Sequence, residues 1–291
     1  MIKFSLPGYY IHYEINMMLL SLYKIKRHYF KKEIEITSFY DSLPHLIWNG
    51  CRILSEGQVI NSLSSDIYSM RDSYYDFGMT LRHTFTNNAL TPEMMYDYRS
   101  NQWASACERE GNAVIVGSEI MANYIREKYP KYNIIWSTSI GIKDINTINK
   151  ISEKDMVVLD YTLNRNKNIL SKLTNPKNIE ILCAEYCIDN CPHRKEHYNA
   201  TNKLIINQEG EKDFKCPFYT GEQNFYYYLK HSKHILTYED ILILNKKYNI
   251  ENFKLNGRSV HWIAYIEILV YYLIKNEYKD YVRQMLLLGK K

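Results

Sequence analysis

The chain has 291 residues, 46% of them hydrophobic and 24% charged, with a formal net charge of +5. That length and apolar content suit a large globular domain and exclude a disordered chain, while so modest a charge names no partner. The 28 tyrosines, with abundant Lys, Ile and Asn, are read as a compositional bias without functional weight.

The opening stretch carries Pro7, Gly8 and Glu14 before any apolar run reaches signal-peptide length, so secretion is not expected. A helix is expected over 11–29, running into the densest basic patch, 24–32, which reads as a solvated helix end with nucleic-acid contact as the alternative. Short β-branched runs then recur at 33–37, 78–81, 113–116, 133–136, 156–159, 179–182, 234–236 and 253–255, giving eight expected strands. Helical periodicity fills 92–109, 118–128, 164–173 and 237–248, and a long closing helix is expected over 260–288. Such alternation implies a parallel sheet, because parallel neighbours need crossover connections. Eight units in this length fit a (β/α)8 TIM-type barrel, with a doubly wound open sheet as the alternative. The late apolar stretch 262–274 is interrupted by Glu267 and is too short to span a bilayer, so no membrane insertion is expected. No linker, repeat or low-complexity tract divides the chain, which is read as one domain, 1–291, with 186–225 as a cysteine-rich elaboration. A cytoplasmic, reducing location follows as the expectation, and the six cysteines are read as thiols and ligands rather than disulfides.

Cys183, Cys187 and Cys191 follow the sixth run at a spacing of four, Pro192 comes next, and Cys216 with Pro217 lies 25 residues beyond Cys191. Four thiolates match the ligand count of an iron–sulfur cluster such as 4Fe–4S, or of a structural zinc, for which His193 or His197 are further donors. Unmetallated thiols on a buried face are the third reading, opposed by the polarity of 187–197. The paired knuckles of a zinc ribbon and the spacing of a radical SAM triad are both absent. Cys51 and Cys107 stand apart and read as small buried hydrophobes.

On a barrel the residues after each strand line the site. The candidates are Tyr40, Asp41 and Ser42, then Arg82, His83 and Asn87, then Ser137 and Ser139, Asp160 and Asn164, Glu185 and Arg258. Each taken singly reads more readily as a loop cap or ion-pair partner than as a catalytic group; their convergence from both ends of the sequence is the informative part. Nucleotide-binding glycine loops, the zinc-peptidase His-Glu-x-x-His and the Gly-x-Ser-x-Gly elbow are absent. Glu185 is a candidate acid or base, and Arg194 and Arg258 are candidate clamps for a carboxylate or phosphate; a Glu–Arg ion pair is the structural alternative.

The segment 179–199, with Glu185, Cys187, Cys191-Pro192, Arg194 and His197-Tyr198, resembles the signature of the collagenase-like peptidases, peptidase family U32. The ending Phe253-Lys-Leu-Asn-Gly-Arg258 is similar to that family's Phe-Lys-Leu-Glu-Gly-Arg, and Ser38 to Pro44 with Trp48-Asn49-Gly50 and Arg52 looks like its first strand end. Ala184 departs from the family's Asn, Cys183 stands where an aliphatic residue is usual, and the hydroxylase branches space their cysteines more widely. The resemblance implies a TIM-type barrel, cysteine-bound iron–sulfur clusters, and either peptidase action or oxygen-independent hydroxylation. Its matching positions are Glu185, Cys187, Cys191, Arg194, His197, Lys254, Gly257 and Arg258. Taken with the cysteine spacing and the strand ends, the expected metal ligands are Cys183, Cys187, Cys191 and Cys216, with Glu185, Arg194, His197 and Arg258 around the substrate and Asp41, Asn49, Arg52, Arg82 and Asp160 as substrate-binding residues. The expected function is iron–sulfur-dependent modification of an RNA base, cofactor precursor or small molecule. A peptidase-like hydrolase with structural zinc, or a non-catalytic partner subunit, is the alternative.

Overall fold

Successive side chains leave a strand on opposite faces, so a strand inside a barrel sorts its residues between the barrel interior and the surrounding helices. In the computed structural model, which describes residues 1–51, 66–188, 190–207, 215–217, 224–258 and 260–290, eight strands do this. They are β1 Ile2–Pro7, β2 Ile34–Asp41, β3 Thr80–Phe85, β4 Ala113–Val116, β5 Asn133–Trp136, β6 Met156–Val158, β7 Ile179–Leu182 and β8 Asn252–Lys254. All neighbours are parallel, and β1 pairs with both β2 and β8 to close the barrel. The described helices are α1 Tyr13–Ile25, α2 Ile67–Asp76, α3 Tyr98–Ala106, α4 Glu119–Lys128, α5 Ile145–Ser152, α6 Lys167–Leu170, α7 Arg194–Asn207, α8 Phe225–His231, α9 Tyr238–Tyr248, α10 Trp262–Leu273 and α11 Lys279–Leu288. Several starts are fixed by side-chain caps: Asp97, Ser118, Asp144 and Thr237 each accept a first-turn amide.

The larger core lies between sheet and helices, where Phe4, Leu6, Phe39, Leu81, Phe85, Val114, Ile181 and Phe253 meet Leu19, Trp103, Ile125, Leu269 and Tyr272. A second, smaller cluster of Tyr40, Ala113, Ile115, Ile135, Val158 and Leu182 fills the barrel itself. The register sets Arg82 between Tyr40 and Ala113, Glu180 between Val158 and Asn252, and Lys254 between Leu182 and Ser5. The interior of this barrel is therefore partly polar, with Arg82 of β3 ion-paired to Glu180 of β7 across it.

The (β/α)8 barrel is the expected fold, and three details differ. First, β1 was not among the expected strands; its inward positions are Lys3 and Ser5, so it lacks the continuous apolar run that marks a strand buried on both faces. Second, 234–236 is no barrel strand: Ile235 makes a single antiparallel bridge to Ala184, and Leu236 donates its amide to Cys183. The cysteine segment thus follows the seventh strand, not the sixth. Third, the closing helix is broken, because Ile274 turns extended to pair with Phe30, and Lys31 Nζ donates to the Tyr271 and Tyr272 carbonyls at 2.6 and 2.9 Å. Among the described residues no helix is long and apolar enough to cross a membrane.

Candidate functional site

The carboxyl ends of the strands open onto a cavity of about 50 Å³, room for a small molecule or one group of a larger one. Tyr40, Thr84, Ile115, Val158, Leu182 and Lys254 line it from the strands, and Cys51, Thr86, Ser137, Thr138, Ser139, Asn256 and Arg258 from the segments that follow them. Tyr40 is the pivot. Its hydroxyl donates to the Leu255 carbonyl at 2.6 Å, which fixes the ring. Lys254 Nζ then sits 3.9 Å from the ring centroid and the Arg258 guanidinium 5.2 Å from it, so two cations share one aromatic ring.

Arg258 is oriented by a relay of hydroxyls. Its Nη1 donates to Ser42 Oγ at 2.5 Å and to Thr84 Oγ1 at 3.0 Å; the two hydroxyls lie 2.5 Å apart, and Thr84 passes its own proton to the Asp41 carbonyl. The Asp41 carboxylate points away from this relay and accepts the amides of Tyr10, Ile11 and Ser42 at 2.9, 3.2 and 2.8 Å. Burial raises its pKa, against the pull of Arg258 and those amides. Asp41 is thus the brace of the β1 and β2 ends. Gly50 fits the same wall because a side chain there would meet the Asn87 backbone at 2.4 Å. Beside it, Cys51 donates its amide to Asn202 Oδ1 of α7 at 2.8 Å and its thiol to the Thr86 carbonyl at 3.1 Å.

A second group of side chains gathers above β6 and β7 around Tyr161, whose hydroxyl donates to the Ile188 carbonyl at 2.9 Å. The Arg194 guanidinium stacks 4.5 Å from the Tyr161 ring and 5.3 Å from that of Tyr198, and His234 meets Tyr161 edge-on at 4.8 Å. Burial raises the Tyr161 pKa; Arg194 opposes the shift, while Cys187, Glu185 and Asp160 add to it. Buried Glu185 accepts the Cys187 amide at 3.0 Å. Asn256 reaches from the first group to the Ala184 carbonyl, joining the two.

The expected site residues divide accordingly. Arg258 lines the cavity, and Glu185, Arg194, Asp160 and Cys187 surround Tyr161. Asp160 accepts the amide and hydroxyl of Thr162, so it caps the turn after β6. His197 sits on α7 beside Tyr198, 6.2 Å between ring centres. Arg82 and Asn49 are placed elsewhere: Arg82 is committed to Glu180 inside the barrel, and Asn49 donates to the Leu43 carbonyl as a loop brace. Arg52 lies outside the described residues. Cys51 and Cys107 are buried as expected, though Cys51 also lines the cavity. Sequence reasoning missed Thr84, Thr86 and Thr138, which carry no motif, and Tyr161 and His234; Lys254 was marked only by the Phe-Lys-Leu-Asn-Gly-Arg ending.

The four cysteines do not fit the expected cluster as a set. Cys183 faces the helix layer, wholly buried against the larger core, and burial together with nearby Glu180 pushes its thiol well up. Cys187, Cys191 and Cys216 are half-buried. Among the described residues no three His, Cys, Asp or Glu side chains converge as metal ligands.

Fold and mouth together define a (β/α)8 barrel with a small, cation-bearing pocket at the carboxyl ends of its strands. No family model matches the chain. No curated protein matches its sequence. A solved structure described as that of the U32 peptidase Mk0906 is similar with a TM-score of 0.53 at 10% identity, over 88% of this chain and 93% of that one. The chain therefore has a distant U32-like fold.

Proposed function

We propose that this U32-like barrel takes a small anionic ligand, or the anionic end of a larger one, at the cavity between Tyr40, Lys254 and Arg258. One observation carries the reading: two cationic side chains share a ring inside a cavity whose other described lining residues are hydroxyls, an amide, a thiol and aliphatic groups, with no carboxylate among them. A desolvated cation pair favours an oxyanion strongly, and the planar fork of Arg258 suits a carboxylate or phosphate. The solved neighbour is a peptidase, and a peptide's terminal carboxylate is one anion of suitable size; a carboxylated or phosphorylated small molecule is another. Within this proposal Glu185, buried one segment away, is the acid or base. The cluster-dependent hydroxylation that the resemblance implies needs a set of cysteine ligands, and among the described residues no three metal-ligating side chains are gathered.

A melting screen tests the charge class directly. Matched small carboxylates and phosphates are expected to raise the melting temperature, and their amide and amine counterparts to leave it unchanged. Equal response to all charge classes, or none to anions, contradicts the proposal.

A further inference from the structure

Arg194 opens α7 from within the group above β6 and β7, outside the central cavity. Its guanidinium carbon lies over two aromatic rings, 4.5 Å from the centroid of Tyr161 and 5.3 Å from that of Tyr198. Its two terminal nitrogens, Nη1 and Nη2, are buried and have no hydrogen-bond partner among the described residues. That is an unusual state for a group carrying five donors. Aromatic stacking compensates part of the charge but accepts none of these protons. The acidic groups nearby are engaged otherwise: Glu185 accepts the Cys187 amide, Asp160 accepts from Thr162, and Glu196 bonds His193 at 2.8 Å. Tyr161 donates its hydroxyl away, to Ile188. Stacking thus fixes the plane of the guanidinium while its terminal edge keeps its donors unused, which is the arrangement that receives an oxyanion through two parallel hydrogen bonds.

We infer that Arg194, held between Tyr161 and Tyr198, is a second anion-binding site that takes a carboxylate or phosphate group separately from the Lys254 and Arg258 pocket. The inference goes beyond the central pocket and does not depend on it. A ligand with two acidic groups, or an acidic ligand beside a second anion, is the chemistry the two sites together would accept.

The test compares the full chain with its Arg194→Met variant, melted in low-salt buffer with and without inorganic phosphate, sodium chloride matching the ionic strength. Without phosphate, Arg194→Met is expected to melt at or above the wild-type temperature, because methionine occupies the space between the tyrosines and leaves no buried donor unbonded. With phosphate the wild type is expected to gain more than the variant, and calorimetric affinity at this site to fall by about tenfold or more. Arg258→Met must keep the Arg194-dependent share of binding, so that failure of the central pocket and failure of this site are told apart. Acetate in place of phosphate separates a carboxylate ligand from a phosphoryl one, and binding of either supports the site. Should Arg194→Met fail to fold, Arg194→Lys keeps the charge without the fork and is expected to bind more weakly. Phosphate and acetate affinities unchanged in the folded variant overturn the inference and make Arg194 a packing residue.

Discussion

Two buried histidines set the acid limit of this protein. His12 stacks on Tyr265 at 4.3 Å with its Nε2 bonded to the Gly257 carbonyl, just before Arg258, and burial lowers its pKa from 6.5 to about 4. His83 accepts at Nδ1 from both Tyr9 and Trp103, and burial lowers its pKa to about 3. Between those values and 6.5 the unfolded chain binds protons that the folded one refuses. The stability these two histidines contribute is therefore fully present above 6.5 and is lost as the pH falls below it, by about 1.4 kcal/mol per pH unit for each histidine. The raised Asp41 pKa acts in the opposite sense, since burial lets the folded form hold its proton to higher pH than the unfolded chain does. Urea melts between pH 7.5 and pH 5, values chosen at about one unit either side of the free histidine range, check this. A steep loss that flattens in His12→Phe is expected, and a flat wild-type profile contradicts it.

At the scale of elements, the pair Arg82 and Glu180 ties β3 to β7 through the barrel, with Glu180 fully buried and its Oε2 left without a hydrogen bond. Such a pair contributes little net stability yet is costly to break on one side. Arg82→Met alone is expected to destabilise by about 3–5 kcal/mol, and Arg82→Met with Glu180→Leu to recover most of that loss. Denaturant melts of both variants settle it; additive losses contradict the account. The same polar interior explains what the sequence hid. The seven strands β2 to β8 were legible from periodicity, since Ala113 to Val116 or Ile179 to Leu182 are short runs with little polarity, and so were α1, α3, α4, α6 and α9, whereas α2, α5, α7 and α8 were not expected. Lys3 and Ser5 broke that pattern in β1, whereas His234 to Leu236 imitated it without a sheet neighbour beyond one bridge. The expected total of eight strands rests on these two opposite errors. At the site, the residues on motif positions, Arg258, Glu185 and Arg194, were legible, but Thr84, Tyr161 and His234 are brought to the mouth by strand register and by the return of 234–236 beside β7, which no local pattern announces.

Over the whole molecule, closing eight parallel strands through the pairing of β1 with β8 brings the segments that follow the first and the last strands to one mouth. Arg258 from the last strand end is oriented by Ser42 and Thr84 from the ends of β2 and β3, and Lys254 of β8 shares the Tyr40 ring with it. The barrel thereby supplies walls for two cations and a small cavity between them, at the carboxyl ends of its strands. The most direct test is calorimetric titration of the wild type, Lys254→Met, Arg258→Met and the double variant with inorganic phosphate and with acetate at low ionic strength. The account predicts measurable binding of at least one anion by the wild type, weakened about tenfold or more in each single variant and reduced in the double variant to what Arg194 retains. A wild type that binds neither anion, or a folded double variant that binds as the wild type does, contradicts it.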